Sequence, residues 1–164
     1  MHRGRPILLV SRGLDPVGSG CELELVVAGL AAAGLPVELA VTSAGGSVPE
    51  RLAARGHAVH RLGRRPVVDA GGTARLARLA TWLRPWAILG FGRSQIWPVL
   101  VARRCAASSR GVVRLGVAPR GYRQGWMLRR LDRVVPTSPA VAAACSRLGV
   151  AAAQTVVVSP GVAR

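Results

Sequence analysis

Side chains that move protons, hold a metal or activate a nucleophile must come in pairs or clusters, and this sequence offers few. Glu22 and Glu24 are two apart on a helical stretch, so they diverge and make no carboxylate pair. His57 and His60 lie three apart in a segment that reads as a strand. There they would face opposite sides and chelate one metal poorly, and His57 suits a structural place at the strand's start. No serine has the Gly-x-Ser-x-Gly setting of a nucleophile elbow. Cys21, Cys105 and Cys145 are far apart with no Cys-x-x-Cys spacing. They read as reduced thiols that fill helix faces as small buried hydrophobes, and no metal site is expected.

Anion chemistry is better represented. Gly18-Ser19-Gly20 precedes Cys21-Glu22 at the start of a helical run. Backbone N–H groups there, aided by the helix dipole, could hold a phosphate or a sugar hydroxyl, or the glycines could simply permit a tight entry to the helix. The dinucleotide fingerprint fails, because Leu23 stands where its third glycine belongs and the loop from Val10 to Gly18 is too long. Glu38 also falls inside the second strand and not at its tip. Arg93 and Arg120 follow strands four and five, at the carboxyl ends where α/β sheets bind ligands. They are anion ligands or solvated loop charges. In Tyr122–Arg133, Trp126, Met127 and Leu131 alternate with Arg123, Arg129, Arg130 and Arg133. That composition suits either an interfacial helix on an anionic membrane or an amphipathic helix packed on a sheet.

The positioning elements alternate throughout. Short apolar runs at Pro6–Val10, Pro36–Thr42, His57–Gly63, Trp86–Gly92, Gly111–Val117, Arg133–Ser138 and Gln154–Ser159 read as seven strands. Between them lie helical stretches. Leu23, Val26, Val27, Leu30 and Ala31 share one face of the first, which stops near Gly34. Ser47 and Pro49 open the second. The third has Thr73 as its N-cap and a Leu76, Leu79, Ala80, Leu83 stripe. The fourth covers Ile96–Ala107, the fifth lies in Tyr122–Asp132, and Pro139 opens the last. This order predicts one α/β domain, Rossmann-like and three-layered, with a mostly parallel sheet and helices on both faces.

The 164 residues suit one domain, and with only 4% aromatic residues its core must be aliphatic. There are 23 basic and 7 acidic residues, a formal charge of +16, and every basic residue is arginine. Lysine and asparagine are both missing, which fits a compositional bias, yet the field attracts anions whatever its origin. The run at Ile7–Val10 is too short for a signal-peptide core, and no stretch reaches eighteen apolar residues. A cytoplasmic chain is expected, with peripheral contact at the inner membrane face as a further expectation. A non-enzymatic module binding anionic lipid or nucleic acid is the rival reading. No helix-turn-helix, zinc or RNP signature accompanies the charge, and the four tryptophans are not set among arginines as a stacking platform, so nucleic acid is not favoured.

Three passages in order resemble family-four glycosyltransferases. The opening, Ile7–Thr42, is similar to that family's strand, GGxE-type loop and helix, with Ser19-Gly20-Cys21-Glu22 at the GGxE position and Ser in place of the first Gly. Arg55–Gly63 resembles its Gly-His-x-Val strand. Leu128–Arg164 resembles its closing passage, with Asp132, Ser138, Gly149, Pro160, Gly161 and Val162 at matching positions. The resemblance implies the acceptor-side half of a retaining, two-domain enzyme (residues 1–158), with 159–164 starting the crossover and Ser159, Pro160 and Gly161 as hinge. The donor half is absent from these 164 residues, so the resemblance implies weak activity or none without it, and a separate donor-domain chain is a candidate partner. A nucleotide sugar would then be co-substrate, with no tightly bound cofactor and an acceptor not identified. Gly18, Ser19, Gly20, Glu22, Arg93, Arg120 and Ser138 are the candidate acceptor- or phosphate-binding residues. The family's histidines after strands four and five are replaced by Leu89-Gly90-Phe91-Gly92 and Leu115-Gly116-Val117-Ala118, so no catalytic residue is assigned.

Overall fold

A computed structural model describes residues 4–63 and 70–161. Six short strands form one wholly parallel sheet in the order β3-β2-β1-β4-β5-β6. They are β1 (Ile7–Ser11), β2 (Val37–Val41), β3 (Ala58–Arg61), β4 (Ala87–Phe91), β5 (Arg110–Leu115) and β6 (Arg133–Pro136). The chain winds outward from β1 to β3, crosses back to β4, then winds outward again. Strand β1, buried along its whole length, sits between β2 and β4, with Leu9 level with Leu39 on one side and Leu89 on the other.

Six helices cover the sheet: α1 (Ser19–Ala32), α2 (Val48–Ala54), α3 (Ala70–Leu83), α4 (Ile96–Cys105), α5 (Gly121–Leu128) and α6 (Pro139–Arg147). Alternate side chains of each strand serve opposite faces. Ile7, Leu9, Leu39 and Val41 pack with Leu23 and Val27 of α1 and with Val48 and Leu52 of α2. Leu8, Val10 and Ile88 face the other way, where Leu76 of α3, Val99 of α4, Leu128 of α5 and Cys145 of α6 complete a second core. The expected architecture is therefore present, with helices on both faces and a sheet that is parallel throughout.

Several local expectations are corrected. Thr73 lies buried inside α3, which already runs from Ala70, so it caps nothing. Helix α4 ends at Cys105, and α5 ends at Leu128, where the chain tightens before β6. The seventh strand reduces to one bridge, Thr155 with Val134, continued by hydrogen bonds from Val156 N to Val134 O and from Val158 N to Pro136 O. The segment follows β6 without becoming a full ladder. Ala31 is exposed on α1. Cys145 is buried as expected, whereas Cys21 and Cys105 are exposed. His57 precedes β3, so the two histidines do not share a strand, and His60 Nε2 is 2.6 Å from Glu38 Oε2. Arg3, Val162 and the rest of the crossover segment after Gly161 lie outside the described residues.

Candidate functional site

In a parallel sheet, ligands settle beyond the carboxyl ends of the strands, where neighbouring connections leave in opposite directions. Here that point lies between β1, whose chain turns toward α1, and β4, whose chain turns toward α4. A cavity of about 150 Å³ opens there, lined by Arg12, Leu14, Ser19, Glu22, Phe91, Gly92, Ser94, Arg114 and Gly116. Three strand ends supply it: β1 with its following loop, β4 and β5.

One buried ion pair organises its wall. Arg114, with a side chain 8% exposed, donates from Nε to Glu22 Oε1 at 2.6 Å and from Nη2 to the same oxygen. Its Nη1 donates to Val158 O at 3.1 Å. A guanidinium inside a sheet is tolerable only when its charge and protons are matched, and Glu22 does most of that matching. Glu22 stands in the first turn of α1, where the helix dipole also favours a carboxylate. The pair thus joins the start of α1, the middle of the sheet and the segment leaving β6.

The loop ahead of α1 shows what its glycines do. Gly18 has φ 52°, the left-handed region that a side chain disfavours, and it precedes the helix without a side-chain cap. Gly20 is buried, and a Cβ there would overlap Asp15 O. Its N–H already donates to Val17 O at 3.1 Å. Gly20 therefore serves close packing of loop on helix, and of this triplet only Ser19 lines the cavity.

The remaining candidates lie outside the lining. Arg93 begins a short 3-10 turn after β4 and reaches Ala118 O from Nη1 at 3.3 Å. Arg120 is exposed at the start of α5, where its backbone N–H donates to Gln124 Oε1 at 2.7 Å. Ser138 caps α6, its hydroxyl accepting from Val141 N at 3.3 Å, which is a structural role. Ser159, Pro160 and Gly161 are exposed after the Val158 carbonyl that Arg114 holds. Two arginines of the lining, Arg12 and Arg114, escape sequence reasoning. The available signal was an arginine at an interior position of the apolar run "GVVRL", which must find a buried partner or distort the strand.

Ser11, Thr42 and Gln95, at or just beyond the carboxyl ends of β1, β2 and β4, are fully buried, and Thr42 Oγ1 donates to Ser11 O at 3.0 Å. Among the described residues, no group of three or more His, Cys, Asp or Glu side chains could hold a metal ion. No helix there is long and apolar enough to cross a membrane. In α5, Met127 is buried, Trp126 packs against the core and the following Leu131 is buried, so the apolar side of that segment faces inward.

Strand order, parallel pairing and a cleft at the switch point define a Rossmann-like domain. Known structures place it more closely. HepE (Alr3699) of Anabaena, solved in complex with UDP, matches with a TM-score of 0.74 at 17% identity, over 96% of this chain and 44% of its own. The lipopolysaccharide outer core galactosyltransferase WaaB, in its apo form, matches with a TM-score of 0.74 at 8% identity, over 94% of this chain and 45% of its own. UDP-N-acetylglucosamine 2-epimerase from Rickettsia bellii gives a TM-score of 0.62 at 12% identity, over 93% and 44%. The chain thus has the fold of a portion of these proteins and spans less than half their length. No protein family and no curated protein sequence matches it.

Proposed function

We propose that this chain is the acceptor-side half of a retaining glycosyltransferase that uses a nucleotide-sugar donor. The observation that carries the reading is a cavity, lined by charged, hydroxyl and apolar side chains, at the switch point of a sheet whose fold is shared with HepE, solved with UDP, and with a galactosyltransferase. The three family-like passages support it. In this reading Arg12, Ser19 and Ser94 present donors to acceptor hydroxyls or to an anionic group, while Glu22 and Arg114 hold the wall in shape. Residues 1–158 form the acceptor domain and Ser159-Pro160-Gly161 leads toward a donor domain, on this polypeptide or a separate one. The nucleotide sugar is a co-substrate and not a resident cofactor.

Titration calorimetry with UDP-glucose tests the division of labour. The chain alone should bind it weakly, with Kd above about 1 mM. Tight binding by this chain would overturn the assignment. A second reading, a basic module at an anionic membrane on the cytoplasmic side, is favoured by one fact. Residues 70–164 carry fifteen arginines and one carboxylate, against eight and six in residues 1–69. Vesicle sedimentation at low salt checks it, and equal pelleting of neutral and anionic vesicles would remove it.

A further inference from the structure

A second concavity lies at the other end of the sheet. In a parallel α/β fold each helix runs back against its strand, so helices end where strands begin. The last turn of α4 and the turn between α5 and β6 meet at that end. They enclose a pocket of about 350 Å³ lined by Leu100, Arg103, Arg104, Ala107 and Arg130. It is larger than the cleft cavity and shares no residue with it.

Only one of the three guanidinium groups is neutralised. Arg103 makes a fork to Asp132, Nε to Oδ2 at 3.0 Å and Nη2 to Oδ1 at 3.2 Å. Asp132 is the sole carboxylate in residues 70–164. Arg104 and Arg130 meet no carboxylate among the described residues. Arg130 is nonetheless held in place, its Cζ 3.8 Å from the centre of the Trp126 ring and its Nη1 donating to Trp126 O at 3.2 Å. Such a clamp lowers the entropy lost when the remaining donors engage a ligand. The ends of α4 and α5 each present carbonyls worth roughly half a negative charge, which leaves a pocket of about +1. Leu100 and Ala107 give it an apolar floor.

We propose that this pocket binds a phosphate-bearing ligand at a site separate from the cleft. Arg130, held over Trp126, and the exposed Arg104 on the same pocket offer charge-assisted donors to the oxygens of a phosphate. The ligand is either a soluble phosphate or a phospholipid headgroup. The inference stands apart from the glycosyltransferase reading, because none of its residues belongs to the cleft.

Inorganic pyrophosphate, titrated at constant ionic strength and followed by tryptophan emission, is the test. Binding should saturate as one site fills, and it should change the emission because the ligand engages Arg130 where it stacks on Trp126. The double variant R104Q/R130Q should raise the midpoint at least about tenfold, the loss of charge-assisted hydrogen bonds. R78Q/R147Q removes the same charge from exposed positions on α3 and α6, and should stay within about twofold by screening alone. Circular dichroism confirms that both variants fold. Failure to saturate by about 10 mM, or equal shifts in both double variants, would overturn the pocket in favour of diffuse charge. Phosphatidylglycerol vesicles that displace pyrophosphate from the parent chain, but fail to bind R104Q/R130Q, assign the headgroup. Pyrophosphate binding that vesicles leave untouched assigns a soluble phosphate.

Discussion

Removing the charge of Glu22 should destabilise the fold more than removing that of Arg114, although each change breaks the same contact. In Glu22→Gln the Arg114 guanidinium, 8% exposed near the carboxyl end of β5, keeps its charge and retains Val158 O as its strongest partner. Breaking a buried pair from one side typically costs 3–5 kcal/mol. The cavity lets some water reach the pair, since Glu22 is 16% exposed, so we expect about 2–4 kcal/mol. In Arg114→Met the carboxylate left behind still sits on the first turn of α1, whose dipole returns about 0.3–1 kcal/mol. It also lies nearer the opening. A cost of about 1–3 kcal/mol follows for that variant. The double variant E22Q/R114M should recover much of the loss, because no unmatched charge remains. Urea unfolding reads this directly: with a slope of about 2 kcal/mol/M, Glu22→Gln should lower the midpoint by about 1–2 M. A shift below about 0.3 M, or additive single and double variants, would refute the claim that the pair carries a buried, matched charge.

Other consequences are quicker to check. Gly20→Ala puts a methyl group against Asp15 O and near Val48, and should cost about 1–3 kcal/mol, a fall of several degrees in Tm by calorimetry. Asp132 is pushed up by partial burial, but hydrogen bonds from Arg103 and from Gly111 N outweigh that and hold its carboxyl below the usual range. With the folded pKa below the unfolded one, its stabilisation is present above about pH 4 and is lost as pH falls through the folded value. Asp132→Asn should therefore flatten the acid limb of stability measured against pH. Burial pushes the Cys145 thiol up, while Cys21 and Cys105 are exposed, so a thiol reagent on the native chain should label two of the three cysteines promptly.

What the sequence disclosed follows from what is local. Ile7–Val10 and Trp86–Gly92 are short apolar runs between turn residues, and such runs become buried parallel strands whatever lies around them. Ser138, read as a ligand contact, instead caps α6, while the Pro49 and Pro139 helix starts are equally local. Strand order is not, because it depends on which edges meet in space. The partner of Glu22 is 92 positions away at Arg114, beyond any periodicity. Gly20 looked like an anion loop because glycine permits close approach, yet the group that approaches is the backbone of Asp15. Val156, Val157 and Val158 have strand composition, but between 44 and 50% of their surface stays exposed. They pair with β6 on one side and lack the neighbour that would bury the other.

The disposition of the carboxylates bears on what chemistry this chain can contribute. Six are described, and five are engaged: Glu22 with Arg114, Glu24 with Arg51, Glu38 with His60, Glu50 with Arg61, and Asp132 with Arg103. Despite partial burial, the Arg103 fork and the Gly111 N–H together hold the Asp132 carboxyl below its usual range. Asp15 alone lacks a recorded ion pair, and it is exposed in the loop before α1. Glu22 is the one carboxylate among the residues that line the cavity, and it is paired with Arg114. Sugar transfer with retention makes a smaller demand, since stabilising a departing diphosphate does not require a protein base. Under the proposed acceptor-half reading, that narrower task is the one the cleft would serve. Ser19 and Ser94 place hydroxyls at the end of the sheet, with the one buried charge pair tied through Val158 O to the segment that leaves the domain.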